Sequence, residues 1–89
     1  MPEVKLELKN KVGLHARPAA LFVQTASKFK STITVKVGAA TANAKSILNI
    51  LTLGAGSGSV ITVVAEGEDA DQALIALKEL NARNFGEQG

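Results

Sequence analysis

Cysteine, tryptophan and tyrosine are absent from these 89 residues, and phenylalanine occurs only three times. Without cysteine there is no disulfide, no thiolate nucleophile and no cysteine-ligated metal. With so little aromatic surface the chain has little on which to stack bases or sugars. Charge is thinly spread as well: ten Lys and Arg against eight Asp and Glu leave a net +2, with no run of like charge, too diffuse a footprint for a nucleic-acid partner. No apolar run approaches the roughly 18 residues of a membrane span, and MPEVKLELKN at the start has no apolar signal core. The expectation is a cytoplasmic protein without membrane insertion.

What remains is a hydrophobic content of 46% and a charged content of 20%, ordinary values for a folded chain. A chain this short closes one core and does not divide, so residues 1–89 are read as a single domain. VKLEL at 4–8 alternates, placing Val4, Leu6 and Leu8 on one side and Lys5 and Glu7 on the other. ITVKV at 33–37 repeats the pattern, and VITVVAE at 60–66 is a third, β-branched run. Gly38 and Gly67 end the last two. AATANAK after Gly38 is small and polar, a weak edge strand hairpinned to the second strand.

Two longer segments read as helices. From Ala16 to about Lys28, Ala16, Ala19, Ala20, Val23 and Ala26 form the apolar stripe, with Gln24 and Lys28 opposite. From Asp69 to about Phe85 the stripe is Ala70, Ala73, Leu74, Leu77 and Leu80, with Asp69 and Gln72 as a capping box and Gly86 as the stop. SILNIL at 46–51 predicts a short helix capped by Ser46. GAGSGS at 54–59 is a connection within the domain. The order is strand, helix, strand, weak strand, short helix, strand, helix. One sheet covered by helices on a single face accommodates it, an α+β open-faced sandwich.

The only histidine lies in GLHARPAA, residues 13–20. A lone histidine is ordinarily a surface or capping residue, but Pro18 changes its setting. Proline lacks an N–H and belongs in a helix's first turn, where N–H groups have no intrahelical acceptor. The reluctance of a residue before proline to enter the α region favours Pro18 as the first helical residue; a start at Ala16 is the alternative. Either way His15 flanks a helix N-terminus, whose free N–H groups and partial positive charge favour an attached anion over an added positive charge. Neutral imidazole is a nucleophile, and a phosphoryl group attached to it is such an anion. Arg17 adds a planar fork of donors suited to phosphate oxygens. Gly13 is a turn residue, or a place where another backbone approaches closely. There is no P-loop, no acidic pair for magnesium and no base near His15, so nothing here makes the chain a nucleotide-using kinase, and these parts suit carrying a phosphate without generating one.

GLHARPAA followed by LFVQTASKF, then AKSIL with the downstream TLG, and VAEGEDA before the last helix, resembles HPr, the family of histidine-containing phosphocarriers of the bacterial sugar phosphotransferase system. The resemblance runs from about Leu6 to Leu80. It implies a four-stranded antiparallel sheet covered on one face by three helices. It implies that His15 accepts a phosphoryl group on Nδ1 from enzyme I, itself charged by phosphoenolpyruvate, and passes it to enzyme IIA domains. Arg17 assists, and the backbone around Ala16, Arg17 and Pro18 holds the phosphate. Such a chain is a carrier with a transient phosphohistidine, with no turnover of its own, no cofactor and no metal, and it is expected to be a monomer.

Ser46 corresponds to the position that a serine kinase phosphorylates in many Gram-positive relatives, and a phosphorylase would reverse the modification. Ile47 and Leu48 match family positions that touch enzyme I and enzyme IIA. The partner surface is extended here to Leu51, Lys45 and Gln24, with core packing as the ordinary role of the apolar members. The chain departs from many relatives at Val12, Asn49, Gln24 and Ser27, none of which touches His15 or Arg17. Two other readings stay open: a paralogous phosphocarrier serving nitrogen or carbon regulation, and a small nucleic-acid-binding domain, against which the scarce aromatics and diffuse charge count.

Overall fold

The computed structural model describes residues 2–9, 13 and 15–83. The elements are β1 (Glu3–Glu7), α1 (Ala16–Ala26), β2 (Thr32–Val37), β3 (Ala40–Asn43), α2 (Ile47–Thr52), β4 (Val60–Glu66) and α3 (Ala70–Ala82). The four strands form one antiparallel sheet in the order β1-β4-β2-β3. The alternation seen in the sequence sets its two faces. Leu6, Leu8, Ile33, Val35, Ile61, Val63 and Ala65 are buried, while Lys5, Glu7 and Lys36 lie in water. The helices cover the apolar face, so this is the expected open-faced α+β sandwich. AATANAK does contain the weak edge strand, and Gly38 and Gly67, both at positive φ, follow β2 and β4.

The first helix is rotated relative to the expected stripe. Phe22 is fully buried, with Pro18, Ala19 and Ala26, whereas Ala16 is exposed and Ala20 and Val23 are half-buried. Phe22 has far more apolar surface to remove from water than any alanine, and the helix turns to bury it. Two i→i−3 bonds, Lys28 N–H to Thr25 and Phe29 N–H to Ala26, both at 3.2 Å, tighten the end of α1 into a turn. The helix therefore stops at Ala26, short of Lys28.

In α3 the expected stripe holds: Ala70, Ala73, Leu74 and Leu77 are buried, and Leu80 packs against the core. Phe85 and Gly86 lie outside the described residues. The capping box does not form. Asp69 has φ −104° and ψ 25° and makes no side-chain cap bond, because it lacks the extended backbone that turns a cap side chain back on its helix. Its carboxylate instead accepts the N–H of Lys30 at 2.8 Å, the N–H of Ser31 at 2.9 Å and the Ser31 hydroxyl. Ser31 is 1% exposed. Gly67 makes room for it, since a Cβ there would sit 2.6 Å from Ser31 Oγ. One carboxylate thus ties the start of α3 to the turn between α1 and β2.

The Ser31 hydroxyl bond, then the Lys30 N–H, hold the Asp69 carboxyl below its ordinary value of 3.8. A carboxyl whose folded pKa is depressed adds stability that is complete above the unfolded value and is lost as pH falls through the folded one. Urea unfolding should therefore show Asp69→Asn less stable than the parent at pH 7, with the difference closing as pH falls below 3.8. A difference that stays constant with pH would contradict this role.

Candidate functional site

The site is built where the loop after β1 becomes α1. Gly13 is buried at φ 68°, a conformation that L side chains resist. It is also pressed against another backbone: a Cβ would lie 2.5 Å from Gly56 C and 2.6 Å from Gly56 Cα. Both roles weighed for this glycine are present together. The contact fixes the start of α1 against the loop that leaves α2.

His15 is the N-cap of α1, with φ −87° and ψ −172°, and its side chain makes no cap bond to the helix. It is half-buried. The first intrahelical bond runs from Ala19 N–H to His15 C=O at 2.9 Å. The helix therefore begins at Ala16 and not at Pro18. Arg17, immediately before the proline, is drawn into helical conformation against its local preference, and Pro18 occupies the third helical position. Pro18 is buried there, beneath the first turn. Among N–H groups of the first turn that have no intrahelical acceptor, those of Ala16 and Arg17 remain after proline removes its own. The helix start thus offers two backbone donors, with exposed Arg17 two positions after half-buried His15.

Ser46 caps α2 as the sequence indicated, its Oγ accepting the Asn49 N–H at 3.4 Å, with extended backbone at φ −120° and ψ 113°. Ile50 is the one buried residue of α2. Ile47, Leu48 and Leu51 are exposed, Leu48 at 72%. Three aliphatic side chains turned to water on six residues are a built patch, not a helix with nowhere to pack. Gln24 is exposed on α1, which packs against α2. Lys45 is placed differently: it is half-buried and its Nζ donates to Phe29 C=O at 2.6 Å, so its charge is spent on the turn after α1.

Asn49 was noted only as a departure, yet it organises this region. Its side-chain oxygen lies 3.4 Å from the Asn43 N–H, and its C=O accepts the Thr52 hydroxyl at 2.6 Å. The Asn43 side chain accepts the Lys45 N–H at 2.9 Å. Asn at 43 and 49 around a serine cap was the available signal, since asparagine commonly bonds nearby backbone. Among the described residues no three His, Cys, Asp or Glu cluster as metal ligands would, and no helix is long and apolar enough to cross a membrane. Val12 lies outside the described residues.

A family model described as the PTS HPr component phosphorylation site matches residues 2–83. The phosphocarrier protein HPr of Xylella fastidiosa is 46% identical over 87 residues, 98% of each chain. An HPr-like protein Crh from Halalkalibacterium halodurans is 49% identical over 77 residues, 86% of this chain and 92% of that one. A crystal structure of HPr from Thermoanaerobacter tengcongensis superposes with a TM-score of 0.96 at 54% identity, covering all of both chains.

Gly13→Ala imposes a left-handed backbone on an alanine and forces two backbones apart. It should cost at least about 2 kcal/mol in chemical denaturation and speed amide exchange at Ala19, whose bond to His15 C=O closes the first turn. Unchanged stability and exchange would show that the Gly56 contact does not hold the helix start.

Proposed function

The chain belongs to the HPr family of phosphocarriers of the phosphotransferase system, and from that premise we propose that His15 is its phosphoryl acceptor. The placement of His15 at the cap of α1, beside the Ala16 and Arg17 N–H groups, carries this reading. Phospho-enzyme I brings a phosphohistidine. The His15 ring nitrogen, Nδ1 by the family resemblance, attacks phosphorus in line as the donor's P–N bond breaks, so one P–N bond replaces another. The new phosphoryl oxygens are bound by the two helix N–H groups and the Arg17 fork. Transfer to enzyme IIA reverses the sequence onto another histidine.

Because both partners exchange the same bond type, the site must bind the phosphoryl group without trapping it. A half-buried imidazole at a helix end suits this better than an enclosed pocket. The exposed Ile47, Leu48 and Leu51 serve as the apolar docking patch for both partners, with Gln24 at its border. Lys45 supports the patch through Phe29. The transferring unit is a single chain acting in the cytoplasm.

Ser46 is the regulatory position, addressed by a serine kinase and cleared by a phosphorylase. A phosphate there adds nearly two negative charges directly before Ile47 and Leu48. It weakens docking without melting α2, because the charge sits at a helix N-terminus. The similarity to an HPr-like protein Crh favours a second reading, in which the same histidine chemistry serves a regulatory branch with other partners.

Incubation with phosphoenolpyruvate and enzyme I should give an acid-labile, base-stable adduct that His15→Ala abolishes. An adduct that persists in that variant would sink the assignment. Arg17→Ala should slow transfer by about a hundredfold to a thousandfold, the range for losing one preorganised donor to developing charge. Leu48→Asp and the chain phosphorylated on Ser46 should both accept phosphate more slowly from enzyme I while keeping the parent's unfolding free energy to within about 0.5 kcal/mol. Equal transfer rates in these two would remove the docking patch from the mechanism.

A further inference from the structure

Along its outer edge β1 faces α3 across a trough. Its pairing with β4 uses the even residues: Pro2 C=O accepts from Ala65 N–H at 3.0 Å, and Leu8 N–H donates to Ser59 C=O at 2.8 Å. The backbone groups of Glu3, Lys5 and Glu7 therefore point out of the sheet. From the last turn of α3, Asn81 Nδ2 donates to Glu7 C=O at 3.1 Å. That bond covers an acceptor, and among the described residues it leaves the Glu7 N–H open to donate.

The walls change character along the trough. Toward the start of both elements lies a groove of about 510 Å³ whose apolar lining is Pro2, Val4, Leu74 and Ile75, with Glu3 and Asp71 as its acids. Ile75 is 58% exposed. Lys78 also lines this groove and is shared with a second hollow of about 370 Å³, where Lys5 and Lys9 join it. Charges scattered along the sequence are thus gathered by the fold. Glu7 is the one acid lining the second hollow, so three lysines against one carboxylate leave it two charges positive. Among the described residues none of the three lysines forms an ion pair.

Exposed lysines are ordinarily solvated, and a single exposed isoleucine is ordinary surface; here the two lie end to end. A ligand that removes Ile75 from water and also neutralises the lysines must be divided in the same way, apolar at one end and anionic at the other. Glu3 and Asp71 repel an anion from the apolar end, which fixes the ligand's direction. We propose that the trough between β1 and α3 binds a single-chain organic anion, its hydrocarbon tail along Val4, Leu74 and Ile75 and its phosphate or carboxylate head among Lys5, Lys9 and Lys78. The Glu7 N–H adds a backbone donor to the head. At about 3.3 Å per residue, Val4 to Leu8 spans roughly 13 Å, room for one short chain. Neither His15, Arg17 nor Ser46 lines either hollow, so this site is separate from the phosphoryl site.

Titration of the full chain with octyl phosphate, kept below micelle formation and followed by ¹H–¹⁵N correlation spectra, tests this. Saturable shifts should appear at Lys5, Glu7, Ile75 and Lys78, and equally so in the His15→Ala variant. Octyl phosphate should bind at least about tenfold more tightly than inorganic phosphate, which lacks the tail, and more tightly than octanol, which lacks the head. Lys5→Gln combined with Lys78→Gln should weaken it about tenfold, and Ile75→Ser about threefold or more. Lys30→Gln, on the exposed turn after α1, should leave the affinity unchanged, with folding of each variant checked by circular dichroism. Shifts confined to the start of α1, an affinity no greater than that of inorganic phosphate, indifference to the Lys5, Lys78 and Ile75 changes, or binding only to phosphatidylglycerol vesicles would each overturn the proposal.

Discussion

Backbone packed directly on backbone at Gly13 and Gly56 is the contact on which the rest of this molecule's chemistry depends. Most of the fold is held by apolar burial, which tolerates small displacements, but this contact does not: a single methyl at Gly13 would lie 2.6 Å from Gly56 Cα. It sets the start of α1 against the segment that follows α2. Just after it the helix begins at Ala16, with His15 as its cap. Two backbone donors, on Ala16 and Arg17, then follow His15 where a phosphoryl group would stand.

Pro18 then refines what the helix offers. At the third helical position it removes one N–H that would otherwise compete for an anion, and its buried ring anchors the first turn. The remaining donors, on Ala16 and Arg17, follow directly after His15. Stability and function are separated in this arrangement. Ser31, Asp69 and Gly67 form a polar latch between α3 and the turn before β2, whereas Ile47, Leu48 and Leu51 are left exposed on α2 as the proposed docking surface.

The sheet was legible because its code is simple. Alternation in VKLEL, ITVKV and VITVVAE assigns each side chain to a face whatever the tertiary context. His15, Ser46 and the short helix were legible for a similar reason, since proline and serine near a helix start carry local physics. The failures came where distant parts of the chain compete. Phe22 overrode an alanine stripe that looked regular, and the Asp69 carboxylate, expected to cap its own helix, was claimed by Ser31, 38 residues earlier. Lys45 is a surface charge by composition and a buried-end donor by structure, since its acceptor, Phe29 C=O, exists only after α1 has ended. The local rules favoured Pro18 as the start of α1, but the helix begins at Ala16, because proline fits the first turn at more than one position and the residue before it can be drawn into the helix.

The most direct test of the account is a pair of ¹H–¹⁵N correlation spectra of the chain before and after charging with phosphoenolpyruvate and enzyme I. If the helix terminus binds the phosphoryl group, the Ala16 and Arg17 amide protons should make the largest downfield shifts, as new hydrogen bonds to an anion require, while Asn49 beside Ser46 stays nearly unmoved. Largest shifts away from the start of α1, or a phosphorylated His15 that leaves the Ala16 and Arg17 amides in place, would contradict it.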